Sequence, residues 1–376
     1  MEIALATTRR EFLGTSTAAA GALGLGLHRG LLASEPPAER AGKSLNMLIL
    51  GGTTYLGPYQ IKYALERGHK ISIFNRGRTV PTLYPELFDR VEKLKGDREN
   101  DLEALKGRVW DAVIDNSATD PKWVHDTAQL LKDSVQFYMY TSSTGVFYPY
   151  LTNGIDESTE VLLELDPDGG GASRYGVNKS LSENEVREAF PDRDIIIRPH
   201  YIIGPGDPND RLTYWVARIA AGGEMLVPGD PDGAVQLIDV RDLTEWMIRM
   251  IEGQVTGTYI ATGPASRLST AELAYGIRSI VSNRISFTWV DTDFLIEHGI
   301  PYMVPWVAPR GDTLGMSTIN PGKAIKAGLT YRPLAVTARD NLEWWNAQSE
   351  ERRAKMGELP NEKEVEVLAA WHARGQ

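Results

Sequence analysis

The chain has 376 residues, 42% hydrophobic and 24% charged, a globular composition that excludes disordered, collagen-like and coiled-coil classes. Lysine and arginine number 40 against 50 acidic residues, and the formal charge of −10 argues against a nucleic-acid backbone or an anionic membrane as partner. With no cysteine, disulfides, thiolate metal sites and Cys nucleophiles are excluded, and the six histidines stand without metal-ligand spacing.

Residues 8–14 read Thr-Arg-Arg-Glu-Phe-Leu-Gly and precede an Ala- and Gly-rich apolar run from Thr15 to Leu27. That run is 13 residues, short of the roughly 20 that span a bilayer. A paired arginine, a short apolar segment and a small-residue exit before Pro36-Pro37 form a targeting layout. It resembles a bacterial twin-arginine export signal, with residues 1–38 as signal and linker. Three basic and three acidic residues leave with it, so the mature charge stays −10.

Leu45 to Leu50 is an apolar run ending at Gly51-Gly52, the pattern of a buried parallel strand. From Gly57 to Arg67 the spacing predicts a helix, with Ile61, Ala64 and Leu65 on one face. Lys70–Phe74, Val91–Leu94, Trp110–Asp115, Val135–Thr141 and Asp194–Arg198 read as further strands, and Tyr175–Ala189 as a helix. This alternation predicts an α/β fold with a doubly wound parallel sheet of Rossmann type and a smaller C-terminal substrate lobe. Residues 45–200 form the nucleotide-binding part, with 232–262 returning to it. Residues 201–231 and 263–348 form the lobe, and 349–376 a peripheral tail helix. Within these, Leu212–Ala221, Leu243–Ile251 and Thr270–Val281 read as helices, Val235–Val240 and Thr258–Ala261 as strands.

Gly51-Gly52-Thr53-Thr54-Tyr55-Leu56-Gly57 lies between strand and helix, where glycines allow a tight turn and the helix N-terminus offers N–H groups to a pyrophosphate. Thr54 stands where a middle glycine is usual. After the second strand, Asn75-Arg76-Gly77-Arg78 carries no acid for ribose hydroxyls and two arginines suited to a 2′-phosphate, which favours NADP over NAD. Asp97, after Gly96, is placed to meet the adenine amine.

Tyr175 and Lys179 stand four apart on one helix face. A nearby ammonium favours phenolate, so the tyrosine can move a proton at a hydroxyl or carbonyl. Thr141-Ser142-Ser143-Thr144 follows the fifth strand with hydroxyls able to hold a substrate oxygen. Trp215, Tyr302, Trp306 and Trp345 are candidates for stacking on a sugar face.

With these marks, and with Arg198-Pro199, Gly204-Pro205 and Ile238-Asp239-Val240-Arg241-Asp242-Leu243, residues 45–345 resemble the short-chain dehydrogenase/reductase superfamily in its extended NAD-dependent epimerase/dehydratase form. The variant turn with Phe74-Asn75-Arg76-Gly77 is similar to an atypical branch that includes plastid RNA-binding relatives. The resemblance implies Ser143 as substrate-orienting hydroxyl, Tyr175 as acid/base and Lys179 as ribose anchor. It adds Asn116, Ser117, Thr141 and Pro199 to the cofactor contacts. A loop from Thr152 to Ser173, with Gly169-Gly170-Gly171, is read as an insertion covering the site.

Export implies work in the periplasm or outside the cell, where no free nicotinamide pool is expected. That favours a redox-neutral reaction on retained NADP, with a saccharide as the small-molecule substrate, over a net NADPH-dependent reductase or a non-catalytic nucleotide- or RNA-binding homologue. The translocase is the expected partner during export, no membrane anchor remains after cleavage, and a homodimer is compatible with the sequence.

Overall fold

A computed structural model describes residues 39–116, 120–356 and 359–374. The export segment 1–38 and Ser117 lie outside the described residues. The first half runs β1 (Asn46–Leu50), α1 (Leu56–Glu66), β2 (Lys70–Asn75), β3 (Glu92–Lys95), β4 (Trp110–Asp115), α2 (Pro121–Leu131), β5 (Val135–Thr141), α3 (Gly170–Ala189) and β6 (Asp194–Pro199). The second runs β7 (Ile202–Ile203), α4 (Arg211–Ala221), β8 (Gly223–Pro228), β9 (Ala234–Asp239), α5 (Val240–Glu252), β10 (Gly257–Ala261), β11 (Gly263–Ser269), α6 (Thr270–Arg278) and β12 (Ile285–Val290).

Seven strands pair in parallel in the order β10-β6-β5-β4-β1-β2-β3. The side chains of β1 show why its run is apolar without alternation. Met47 and Ile49 enter a core shared with Ile61 of α1 and Trp246 and Met247 of α5. Leu48 and Leu50 enter the opposite core, with Val124 and Leu131 of α2 and Val186 of α3. Helices cover both faces, so both strand faces must be apolar. The sheet is the doubly wound one expected.

The smaller lobe adds a sheet of order β11-β9-β7 and a parallel pair β8–β12 around Trp215, Met225, Leu273 and Trp306. Helix α5, which packs on the central sheet, starts at Val240, earlier than read, because Asp239 caps it and accepts from the Arg241 amide at 2.8 Å. α6 stops at Arg278 rather than Val281. The expected cap does hold: Ser269 and Glu272 form a reciprocal capping box.

Candidate active site

The glycine-rich turn joins β1 to α1 with Gly51 and Gly52 at φ 93° and 85°, a region that L side chains rarely enter. A Cβ on Gly57 would stand 2.3 Å from the Gly52 backbone, so the first turn of α1 rests directly on the loop. Threonine at position 54 is accommodated; its carbonyl accepts from the Gly57 amide at 3.1 Å. Asn75 ties the end of β2 to this turn, donating to Gly51 O at 3.2 Å and accepting from the Gly77 amide at 2.8 Å.

Beside the turn is a cavity of about 300 Å³ bordered by Gly51, Thr53, Thr54, Asn75, Arg76, Arg78, Asp97 and Trp123. Arg76 and Arg78 are exposed and make no hydrogen bond or ion pair among the described residues. Asp97 borders this cavity and also closes its own turn, accepting from the Glu99 amide at 3.2 Å. Next to it Arg98 is buried, ion-paired to Asp115 and donating to Trp123 O at 2.8 Å, which fixes the start of α2 at the cavity wall. Trp123 went unnoticed in the sequence; the Asp120-Pro121 helix start was its available signal.

A second cavity, of about 540 Å³, begins at Tyr55, the residue after Thr54. It is bordered by Tyr55, Leu56, Asn116, Thr141, Ser143, Tyr175, Lys179 and Pro199, so residues expected at the chemistry meet here. Gly52 and Gly57 border neither cavity and act in the packing of α1. Asn116 forms a reciprocal amide pair with the buried Gln60, at 2.6 and 3.2 Å, and accepts from Thr141 Oγ1 at 2.8 Å.

The helix that carries Tyr175 begins at Gly170, five residues before the spacing indicated. The loop read as a cover therefore ends inside α3, because the Asp166 amide donates to Ser173 Oγ at 2.8 Å and docks the loop on the first turn; of residues 152–173, Ala172 is the one that borders the cavity. Glycine is required at 169, where a Cβ would meet the Tyr148 ring at 2.7 Å. At the catalytic face, a Cβ on Gly176 would fall 2.4 Å from Gly145 O, so α3 packs backbone to backbone on the turn after Ser143.

The hydroxyls after β5 divide by task. Ser142 lines the cavity and donates its hydroxyl to Glu183 at 2.6 Å, so its proton is committed to that carboxylate. Thr144 bonds His200 Nδ1 at 2.9 Å. Ser143 borders the cavity, its Oγ accepting from the Gly145 amide at 3.0 Å, and its hydroxyl proton remains to be given.

Lys179 Nζ donates to Thr141 O at 2.9 Å and lies 5.9 Å from the Tyr175 ring centre. Burial pulls this ammonium down to about 8, against the opposing pull of Asp115 and Glu183. One further turn along α3, Glu183 is fully buried and clamped by Arg198 through 2.8 and 2.7 Å bonds. Burial acts to raise Glu183, but the Arg198 bonds and charge outweigh it and hold the carboxyl below its usual range. Tyr175, Lys179 and Glu183 thus form one stripe at four-residue spacing, and only its first two members were read from the sequence.

Trp215, Trp306 and Trp345 are buried, and Trp215 donates its indole N–H to Val304 O at 2.9 Å. Tyr302 is exposed and borders no part of this cavity. None of the four serves the expected sugar stacking; Tyr148, Tyr150 and Tyr201 form the aromatic border instead.

The two cavities meet at a turn whose glycines and helix N-terminus fit a dinucleotide, with Tyr175 and Ser143 at the far end. The model of the NAD dependent epimerase/dehydratase family matches residues 47–260. The chloroplast stem-loop binding protein of 41 kDa b from Arabidopsis thaliana is 25% identical over 56% of this chain, and the match spans 56% of that protein, little more than half its length. UDP-glucose 4-epimerase of Neisseria meningitidis serogroup B is 23% identical over 60% of this chain and 78% of its own. The Bordetella bronchiseptica enzyme WbmG, solved in complex with NAD and UDP, superposes with a TM-score of 0.57 over 81% of this chain and 96% of that chain. Its identity of 16% makes this a likeness of fold. With the family model covering more than half its length, the chain belongs to the NAD-dependent epimerase/dehydratase family.

Proposed function

We propose that the chain is an exported NADP-dependent epimerase/dehydratase-type enzyme that acts on a sugar or related hydroxyl or carbonyl compound through transient hydride transfer on a retained cofactor. The observation that carries this is the gathering of Ser143, Tyr175 and Lys179 on one cavity that opens from the glycine-rich turn. When bound there, a nicotinamide supplies hydride storage, so that a hydride taken from a substrate carbon can be returned. The chain's own residues do the rest. Ser143 gives a hydrogen bond to the substrate oxygen. Tyr175 takes and returns the proton at that oxygen, helped by the Lys179 charge. Arg76 and Arg78 take the 2′-phosphate, a role supported by their having no other partner among the described residues.

The export reading rests on Arg9-Arg10 and the apolar run after them. It requires the cofactor to be loaded before export and kept afterwards. The test is mass spectrometry of nucleotide released from protein recovered outside the cytoplasm. Close to one NADP(H) per chain is expected, together with many turnovers on envelope saccharides and no net absorbance change at 340 nm. Bound NAD(H) overturns the cofactor assignment. Consumption of added NADPH one-for-one with product makes the enzyme a net reductase.

A further inference from the structure

The proposed reaction leaves open what sits against Tyr175, and the far wall of the same cavity answers in terms of charge. A nucleotide diphosphate sugar brings two negative charges that a site must meet with cations or a helix N-terminus. Among the described residues bordering the cavity, the cations are Lys179 and Arg211. Lys179 is buried under Thr141 O. Arg211 Nη1 is held by Asp207 Oδ1 at 2.9 Å and by Ile202 O at 3.2 Å.

Asp207 also fills the place an anion would take. Its carboxylate accepts from the Arg211 amide in the first turn of α4 at 3.1 Å and from the Asn209 amide at 3.0 Å. Asp210, which precedes the helix, is buried and bonded to Arg352 at 2.6 and 2.9 Å. At the helix N-terminus that faces the cavity, the Arg211 amide is therefore already taken by the Asp207 carboxylate, while Asp210 makes no cap bond and is spent on Arg352.

The opposite wall is aromatic and apolar. Segment 148–154 is stitched to segment 311–318: the Tyr150 amide donates to Asp312 O at 2.9 Å, the Gly315 amide to Tyr150 O at 2.8 Å, and Tyr148 Oη to Asp312 Oδ2 at 2.8 Å. A Cβ on Gly315 would lie 1.8 Å from Thr152 O, so the two segments touch along their backbones. The stitch holds Tyr148, Tyr150 and Met316 at the cavity, with Leu151 and Leu314 exposed on the same two segments. His200 adds a neutral polar group. Burial and the neighbouring Arg211 lower it to about 3, and its Nε2 is buried with no partner among the described residues.

We infer that this cavity selects an uncharged glycoside with an apolar or aromatic aglycone over a nucleotide diphosphate sugar, through the Tyr148–Tyr150 wall and the Asp207 lock on Arg211. The inference rests on the proposed function, in that Tyr175 works on the sugar so held. Calorimetry on the protein with its cofactor tests it, using 4-nitrophenyl glycosides of several sugars against UDP and UDP-glucose. At least one glycoside should bind, and UDP in tenfold excess should not displace it. Tyr150→Ala should weaken that binding tenfold or more while the cofactor content of the protein stays the same. Asp207→Asn, if it folds, should raise UDP affinity by about tenfold as Arg211 is released. UDP or UDP-glucose binding the unaltered protein as tightly as any glycoside overturns the inference, as does failure of every glycoside to bind. Turnover of UDP-glucose on retained cofactor overturns it and leaves the proposed function standing. A chain that carries no nicotinamide nucleotide fails the proposed function instead.

Discussion

The two ends of the groove are built on opposite principles. At the Arg76–Arg78 end those two guanidinium groups are exposed and make no hydrogen bond or ion pair among the described residues, although the neighbouring Arg98 is buried and paired. At the Tyr175 end the charges are buried and tied: Lys179 to Thr141, and Glu183 to Arg198 and Ser142. An exposed guanidinium can be changed at little structural cost, which suits a contact that sets cofactor preference. A buried charge network is costly to disturb, which suits groups that must hold one geometry through a reaction.

The sharpest break at the buried end is Tyr175→Phe. Tyr175 is 44% exposed and its hydroxyl supports no part of the core, so the fold and the bound cofactor should survive. Turnover on an identified substrate should fall by about 100- to 10,000-fold, read from steady-state rates beside an unchanged circular dichroism spectrum. Near-normal turnover places the acid/base elsewhere. Glu183→Ala attacks the support instead. It leaves the Arg198 guanidinium buried without its carboxylate, and loss of one partner of a buried pair costs about 3–5 kcal/mol. Urea unfolding should show that loss. A change below about 1 kcal/mol would mean that the pair does not hold α3 to β6.

Lys179 tests the cost of the buried design itself. Its depression from 10.5 to about 8 corresponds to about 3 kcal/mol of penalty on the charged form. Lys179→Met removes that penalty and forfeits the bond to Thr141 O, worth about 1 kcal/mol. The variant should be inactive yet about 2 kcal/mol more stable at pH 7. The sign with pH is fixed. A lysine whose folded value is lowered binds fewer protons folded than unfolded between about 8 and 10.5, so native stability rises with pH across that window. The advantage of the variant should hold below pH 8 and shrink by pH 10. Unfolding curves at pH 7, 9 and 10 read the difference, and a flat difference refutes the buried ammonium.

The same contrast explains what could be read in advance. The sheet was legible because its inner strands, such as β1, β4 and β5, are buried on both faces and so appear as apolar runs, whereas the exposed edge strand β3 does not. The glycine-rich turn and the Tyr175–Lys179 pair were legible because their spacing is local. Glu183 had a local signal, one more step of four, but its meaning depends on Arg198, which only the sheet brings beside it. Tyr148, Tyr150 and Met316 carry no such signal: their place at the cavity comes from the pairing of segments more than 150 residues apart in sequence. The tryptophans misled because a large aromatic in a second lobe satisfies either core or ligand, and composition does not distinguish the two.

Arg76→Ala is the smallest of these effects and the one that most cleanly separates the two ends. The side chain is exposed, so its removal should leave unfolding stability within about 0.5 kcal/mol. A charged contact to a 2′-phosphate is worth about 1.5–3 kcal/mol, and solvent screening puts this one at the lower bound, about tenfold in Kd. NADP should lose that factor and NAD, which lacks the phosphate, should not. The gap between the two cofactors should also narrow as salt is raised, since the contact is open to counterions. Equilibrium titrations of both cofactors at low and high salt make the comparison. If the variant weakens NAD and NADP equally, Arg76 contributes general attraction and the preference is set by another group. If neither changes, the exposed arginines are solvated charges, and the contrast between a replaceable end and a locked end loses its first half.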